Sequence, residues 1–205
     1  MQTEAPETKV ILVTAQKGGV GKSTLSFLIA KFLSENFKVG IIDLDNQGSF
    51  IGNKERIEKI NNFTIHPWND LANNPEIFEF YHYLIIDTPP YNIGLLEDLF
   101  NISDFIVVPI KMEDISITSV LTTLNNIKEY NVMDKTLIVP SMVVHNRNYS
   151  SEYDIIDELG FARVEASFMQ YSILTKVFLN DVVLEGNVKQ NTTNCINDIL
   201  TFVNN

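Results

Sequence analysis

Short apolar runs alternate along the chain with longer segments in which apolar residues recur at helical spacing. The short runs are rich in β-branched residues and too brief for helices, so they are predicted to be strands at 9–14, 38–43, 83–87, 104–110 and 136–144. Helices are predicted at 21–35, near 93–101, near 114–130 and at 187–203. The segment 51–80, with its Asn-rich loops, shows neither pattern clearly.

The predicted strands are apolar throughout and do not alternate between apolar and polar residues. This pattern is typical of parallel strands that helices cover on both faces. It predicts a doubly wound α/β fold with a mainly parallel sheet, built as a single domain over residues 9–205 behind a disordered or loosely held tail at residues 1–8. Ligands of such folds bind beyond the carboxyl ends of the strands, so we expect the loops at that edge to carry the chemistry.

Composition narrows the class of protein. The chain has 205 residues, of which 45% are hydrophobic and 20% charged, as in soluble globular domains. Cys195 is its one cysteine, which excludes an internal disulfide and a four-cysteine metal site. Neither a signal-peptide pattern nor a run of about 18 apolar residues is present, so a cytoplasmic protein is expected. The formal charge of −11 opposes binding that depends on a broad field attracting polyanions.

The segment 16–24 (QKGGVGKST) lies between the first predicted strand and the first predicted helix. Glycines at such a point let successive backbone N–H groups surround a phosphate chain at a helix N-terminus. Lys22 can reach the β- and γ-phosphates, and the Ser23 hydroxyl can ligate Mg²⁺. The remaining candidate cradle residues are Gly18, Gly19, Val20, Gly21 and Thr24. The alternative is a tight turn without a ligand, with Lys17 as a solvated side chain.

Acidic residues follow the next two predicted strands. Asp43 and Asp45 project to the same side because they are one residue apart at a strand end, which suits a magnesium-bound water and an attacking water. Asp87 leaves an apolar strand toward the same edge and suits an outer-sphere Mg²⁺ ligand, since Mg²⁺ keeps most of its waters. The alternatives are an acidic turn that caps a helix and an ordinary acidic strand end.

Together these segments resemble the ParA/MinD family of deviant Walker A P-loop ATPases. The run from Lys17 to Ser23 matches the box K-G-G-x-G-K-[ST], in which the first lysine is the signature lysine. The segment 43–48 (DLDNQG) resembles the switch I box D-x-D-P-Q-G, with Asn46 in place of proline. The segment 87–90 (DTPP) resembles the switch II box D-x-P-P. In layout the chain is most similar to the small single-domain ParA ATPases of plasmid partition.

The resemblance implies a fold, a reaction and roles for particular residues. Lys17 would reach across a two-fold axis to the phosphates held by a second copy, giving a dimer with ATP and Mg²⁺ between the subunits. Asp45 would position the attacking water, while Asp43 would support the Mg²⁺ shell. Asn146 follows an apolar strand at the place of an adenine-contacting Asn, although an ordinary polar loop is the alternative. Hydrolysis would be slow and stimulated by a partner.

The resemblance leaves the cargo open. A first strand beginning near Lys9 leaves no room for an N-terminal helix-turn-helix domain, so a separate DNA-bound adaptor of the ParB type is the expected partner. Within the partition-type group, the alternatives for the cargo are a plasmid, a chromosome and a protein assembly, and the sequence does not choose among them. The segment 195–205 has no Lys or Arg, which disfavours the membrane binding of a MinD-like protein. A nitrogenase-reductase-like carrier would need two cysteines per chain. A ligase similar to dethiobiotin synthetase would lack the signature lysine.

Non-specific DNA is a further expected partner, and with it an association with the nucleoid. From residue 141 onward the basic residues Arg147, Arg163, Lys176 and Lys189 stand against eight acidic ones. Any DNA surface is therefore predicted to be a narrow strip assembled across the dimer, and scattered solvated charges are the alternative. Two contacts per subunit would give a log–log salt slope of about −3.6.

Overall fold

The computed structural model describes residues 7–45, 50–90, 94–115, 118–169, 171, 174 and 184–204. Residues 1–6 of the predicted tail lie outside these ranges. In the described part of that tail, the Thr8 hydroxyl donates a hydrogen bond of 2.6 Å to the Tyr81 carbonyl. Thr8, the residue before the first strand, is thus hydrogen-bonded to the segment just before the strand that begins at Tyr83.

A sheet of eight strands forms the centre of the fold. The strands are β1 (Lys9–Val13), β2 (Val39–Asp43), β3 (Phe63–Pro67), β4 (Tyr83–Asp87), β5 (Phe105–Lys111), β6 (Thr136–Val143), β7 (Ala162–Arg163) and β8 (Phe168–Met169). Their order is β3-β2-β4-β1-β5-β6-β7, and β8 also pairs with β6. Every pair is parallel, which confirms the predicted mainly parallel sheet.

Helices connect these strands. They are α1 (Lys22–Leu33), α2 (Lys54–Ile60), α3 (Trp68–Asn73), α4 (Ile77–Phe80), α5 (Leu96–Ile102), α6 (Thr118–Glu129), α7 (Ser150–Glu158) and α8 (Gly186–Asn204). Two short 3₁₀ helices, Ile51–Asn53 and Met112–Asp114, precede α2 and follow β5. Parallel strands need such crossover connections because the chain must return to the same edge of the sheet.

The sheet separates two hydrophobic cores. Alternate side chains of a strand point to opposite faces. Ile11 and Val13 of β1 therefore pack in one core with residues of α1 and α8. Val10 and Leu12 pack in the other core with residues of α5, α6 and α7. Helices thus cover both faces of the sheet, which confirms the predicted doubly wound α/β fold.

The sequence pattern located five strands and four helices but missed the remainder. The segment 51–80, in which neither the strand pattern nor the helix pattern was clear, contains α2, β3, α3 and α4. β3 is an edge strand and only alternate residues of its first half are buried, so it lacks the continuous apolar run of the central strands. Helix α7 was also missed, as were the two-residue strands β7 and β8, which are too short to show a period.

Strand register brings three chain segments to one level. Val13 at the end of β1 is the Cα partner of Asp87 at the end of β4. Asp87 is also the partner of Asp43 at the end of β2. The loop after β1 and the two acidic strand ends therefore meet at the carboxyl edge of the sheet, where doubly wound folds bind ligands.

Candidate nucleotide-binding site

The loop between β1 and α1 depends on glycine at two points. Gly19 has φ 74° and Gly21 has φ 94°, a left-handed conformation in which a Cβ is strained. Gly21 is the N-cap of α1, and its carbonyl accepts a hydrogen bond from the Leu25 N–H. Gly18 and Gly19 are exposed, so their backbone is open to a ligand. Thr24 is half-buried in the first turn of α1.

Lys22, the first residue of α1, is buried beneath the loop. Its ammonium donates a hydrogen bond of 3.1 Å to the carbonyl of Lys17. Burial lowers the pKa of Lys22, while the carboxylates of Asp87 and Asp45 act in the opposite direction. A phosphate oxygen would offer this ammonium a charged acceptor in place of a neutral carbonyl.

Asp87 is buried among the hydroxyl groups of α1. Ser23 Oγ donates to Asp87 Oδ2 at 2.7 Å, and Ser26 Oγ donates to Asp87 Oδ1 at 2.8 Å. Burial raises the pKa of Asp87 to about 7, and the two serine hydrogen bonds oppose that rise. Ser26 was not among the predicted site residues, although its place three residues after Ser23 puts it on the same face of α1.

Asp43 lies fully buried beside Asp87. Its Oδ1 accepts a hydrogen bond of 3.0 Å from the Asp45 N–H, and its Oδ2 accepts one of 3.2 Å from the Ile51 N–H. Burial raises the pKa of Asp43 against these hydrogen bonds. Asp43 thereby fixes the backbone at the start of the next loop, and the half-buried Asp45 follows directly from it.

This arrangement fits a divalent cation. Two neighbouring carboxylates, Asp43 and Asp87, are buried at this site with one ammonium, that of Lys22. Acidic groups therefore outnumber basic groups among the buried residues of the site. Within the described residues, no three or more His, Cys, Asp or Glu side chains cluster as a direct ligand set. Magnesium does not need such a cluster, because it keeps several waters and takes few protein ligands. Ser23 would supply the hydroxyl ligand, with Asp43 and Asp87 holding the waters.

Lys17 turns back onto its own chain. Its ammonium lies 2.7 Å from Asp114 Oδ2, at the end of the 3₁₀ helix Met112–Asp114. The resemblance implies that Lys17 contacts the phosphates held by a second copy, and this role stays a prediction; the sequence gave no partner for Lys17 within the single chain. In this structure, the two lysines of the loop both have partners within the protomer.

Residues distant in the sequence pack against the glycine loop between β1 and α1. Ser141 of β6 is buried, and its hydroxyl donates a hydrogen bond of 2.8 Å to the Val20 carbonyl. A Cβ on Gly21 would lie 3.5 Å from both Met142 Cε and Phe168 Cε1. None of these residues was predicted, because no local motif marks a hydroxyl or an aromatic ring that packs under a loop.

The structure places Asn146 in the turn after β6, exposed and with φ 66°. Its side chain makes no hydrogen bond to the rest of the described chain. Its role in adenine binding therefore stays a prediction. The switch I residues Asn46, Gln47 and Gly48 lie outside the described residues, as does Lys176 of the predicted DNA strip.

Two arginines of the predicted DNA strip pair with acidic groups. Arg147 contacts Glu113 through Nη1, lies 3.9 Å from Glu152 Oε1 through Nη2, and stacks on the Tyr149 ring. Arg163 donates to both carboxylate oxygens of Asp157, at 2.8 and 3.1 Å. These hydrogen bonds lower the pKa of Asp157.

Lys189 at the start of α8, the remaining described basic residue of the predicted DNA strip, is exposed.

Across the helices that the structure describes, none combines the length and apolar character that a membrane span requires.

Comparison with known families agrees with this geometry. A profile of CbiA, the CobQ/CobB/MinD/ParA nucleotide binding domain, matches residues 11–187. A protein named for plasmid partition from Borrelia burgdorferi B31, solved with AMPPNP, aligns over 95% of this chain and 99% of its own at a TM-score of 0.71 and 20% identity. The MinD cell division protein of Aquifex aeolicus aligns over 95% and 98%, at a TM-score of 0.71 and 18% identity.

Among curated proteins, an iron-sulfur cluster carrier protein of Rickettsia felis is 61% identical over 44 residues. The aligned stretch covers 21% of this chain and only 14% of that protein. A match of this extent indicates a shared local motif. It does not show that this chain has the activity of the whole relative.

Proposed function

Because the chain belongs to the CobQ/CobB/MinD/ParA nucleotide-binding domain family, we propose that it is a ParA-type partition ATPase. It forms a dimer with ATP between the subunits and uses slow, partner-stimulated hydrolysis as a switch for segregating plasmid or chromosomal DNA. One observation carries the proposal. Lys22, Ser23, Asp43 and Asp87 meet around a single glycine loop that holds a second lysine, Lys17.

Each residue at the site has a physical role in this proposal. The backbone N–H groups of 18–22 bind the phosphates, and the Lys22 ammonium neutralises their charge. Magnesium, when bound, supplies further charge neutralisation of the phosphates. Ser26 and Ser23 hold the Asp87 carboxylate in place through their hydrogen bonds. Asp45 orients the attacking water, and its backbone is held by Asp43.

A role in carrying an iron-sulfur cluster is disfavoured by the single cysteine. Clusters are held by thiolates, which require deprotonated and accessible sulfur. Cys195 lies on the core-facing side of α8 and is fully buried. Burial raises the pKa of its thiol to about 12. Cys195 therefore acts as a small core residue.

Membrane recruitment is disfavoured by the packing of α8. The apolar residues of this helix face the core, namely Cys195, Ile196, Ile199 and Val203. An amphipathic membrane helix inserts its apolar face between lipids, and here that face is already buried. The proposed matrix is therefore DNA, with a DNA-bound adaptor of the ParB type as the stimulating partner and the cytoplasm as the site of action. A protein-positioning ATPase is the alternative.

The test compares the two lysines of the loop. Lys22→Ala should abolish ATP binding, because the loop loses the ammonium that lies beneath it. Lys17→Ala should bind ATP and yet fail to form a stable dimer, because Lys17 acts on the second subunit. Binding of a fluorescent ATP analogue and light scattering measure the two properties separately. Identical behaviour of the two variants would contradict the proposal.

A further inference from the structure

The ion pair between Lys17 and Asp114 is unusual in its burial. Lys17 keeps 35% of its side chain exposed, whereas Asp114 keeps only 11%. Asp114 Oδ2 is inaccessible to solvent and has no aligned hydrogen-bond donor among the residues that the structure describes. The Lys17 ammonium at 2.7 Å therefore compensates this buried carboxylate by its charge.

Asp114 sits on a firmly held element. The flanking side chains Met112 and Ile115 are buried at 1% and 2% exposure, within the core between the sheet and α6. The adjacent Glu113 binds Lys111 at 3.2 Å and also contacts Arg147 of the loop after β6. The carboxylate of Asp114 is thus presented to Lys17 by a fixed turn.

The backbone of Lys17 is held as well. Its carbonyl accepts the hydrogen bond from the Lys22 ammonium. A phosphate that draws Lys22 away from this carbonyl releases one of the two restraints on Lys17. The second restraint, the pair with Asp114, remains until the Lys17 ammonium itself moves.

We propose that Asp114 is the positioning residue of Lys17, holding the ammonium on its own protomer until a second loaded protomer supplies a better anionic partner. The proposal rests on the function proposed above. When Lys17 leaves, the buried Asp114 oxygen loses its counter-charge, and that loss opposes dimerisation. Asp114 thus sets the nucleotide and protein concentrations at which the dimer forms.

The size of the effect follows from the geometry. An ion pair between a partly exposed ammonium and a largely buried carboxylate lies between the exposed and the buried extremes, and changes an equilibrium by roughly 3- to 10-fold. Two lysines are released in each dimer, so the two factors multiply. Neutralising Asp114 should therefore lower the dimer dissociation constant by roughly 10- to 100-fold.

The test measures dimerisation by sedimentation velocity in Mg²⁺ and AMPPNP, an analogue chosen to prevent turnover. The variants are Asp114→Asn and, as a matched control, Asp157→Asn. The control removes the same charge from an ion pair with Arg163, away from the loop. We expect tighter dimerisation for Asp114→Asn alone, with unchanged binding of a fluorescent ATP analogue under monomeric conditions. In a protein that already carries Lys17→Ala, adding Asp114→Asn should give no gain in dimerisation over Lys17→Ala alone.

A second measurement detects the position of Lys17 directly. Acetylation of the nucleotide-free monomer by an N-hydroxysuccinimide ester, read by mass spectrometry, reports the accessibility of each lysine. Lys17 should react roughly 3- to 10-fold faster in Asp114→Asn than in the wild type. Lys31 on α1 serves as the internal reference, and equal melting temperatures confirm that the variants are folded.

The outcomes separate the two proposals. If Lys17→Ala dimerises like the wild type, the proposed function fails. If Lys17→Ala is impaired while Asp114→Asn dimerises like the wild type or more weakly, the positioning role of Asp114 is overturned and the proposed function stands. An unchanged acetylation rate of Lys17 in Asp114→Asn overturns the positioning role as well.

Discussion

Asp43 and Asp87 show what burial does to single residues at this site. They occupy partner positions on neighbouring strands, and burial raises the pKa of both carboxyl groups. A buried charge without compensation is costly, so it persists only with hydrogen bonds or a counter-ion. Ser23, Ser26 and the backbone of Asp45 supply hydrogen bonds. The site is therefore built to hold negative charge next to a cation.

Asp45 differs from these two carboxylates because it is half-exposed at the edge of the site. Asp45→Ala should retain Mg²⁺-ATP and the dimer but lower the rate of phosphate release by about 100-fold, because catalysis of phosphoryl transfer depends chiefly on positioning. Phosphate release and light scattering on the same samples check this prediction.

The control for Asp45 is Asp134→Ala. Asp134 is exposed and lies before β6, at the amino edge of the sheet. It should leave both the rate and the dimer unchanged. If Asp45→Ala releases phosphate within about twofold of the wild-type rate, a different residue orients the water.

The packing of the sheet depends on close contacts between its strands and the segments that flank them. Gly40 of β2 faces the Tyr81 ring and the Leu84 side chain of β4. The Tyr81 hydroxyl is 2.7 Å from His66 Nε2, so hydrogen bonding restrains the ring. β2 also carries Asp43 at its end, and its packing therefore bears on the nucleotide site.

Gly40→Ala should destabilise the protein by about 1–3 kcal/mol, because overpacking a core forces side chains out of their preferred rotamers. A Cβ at this position would lie 2.8 Å from Leu84 Cδ2 and 3.1 Å from Tyr81 Cε2. Urea unfolding followed by circular dichroism measures the change in the free energy of unfolding.

Gly52→Ala is the matched control. A Cβ at Gly52 would have nothing within 4 Å, and its backbone φ is not positive. Its free energy of unfolding should stay within about 0.5 kcal/mol of the wild type or rise slightly. Equal effects of the two substitutions would show that the contact with Leu84 and Tyr81 relaxes without cost.

The net charge of −11 opposes the binding of DNA by the protein as a whole. Arg147 and Arg163 are engaged by acidic side chains of the same chain, while Lys189 is exposed. An arginine that must leave a carboxylate to reach a phosphate gains little net free energy. Non-specific binding by the ATP-bound dimer should therefore be weak and salt-sensitive.

Binding of duplex DNA to the AMPPNP-loaded dimer should show a log–log salt slope no steeper than about −3.6, which means a loss of roughly 100-fold between about 50 and 200 mM salt. Arg163→Ala should leave the slope unchanged, because Asp157 already uses its guanidinium. Fluorescence anisotropy measures both.

A flatter slope for Arg163→Ala would show that its ion pair opens on DNA. No detectable binding at about 50 mM salt would favour a protein-positioning ATPase over DNA segregation.

The central strands, the main helices and the glycine loop could be predicted from the order of residues alone. Each depends on neighbours in the chain. A buried strand needs a continuous apolar run, and a phosphate loop needs glycines next to Lys22 and Ser23. The ends of the apolar runs also predicted that Asp43 and Asp87 stand at the ends of strands, where parallel register brings them together.

The strand order, the edge strand β3 and the partners of the loop became known only from the folded chain. Lys17 meets Asp114, and the Val20 carbonyl meets Ser141, across long stretches of chain. Such contacts depend on which strands lie side by side and on the turn that presents each side chain. A continuous apolar run indicates that a strand is buried but not which strand lies beside it, because any apolar strand can satisfy the same burial.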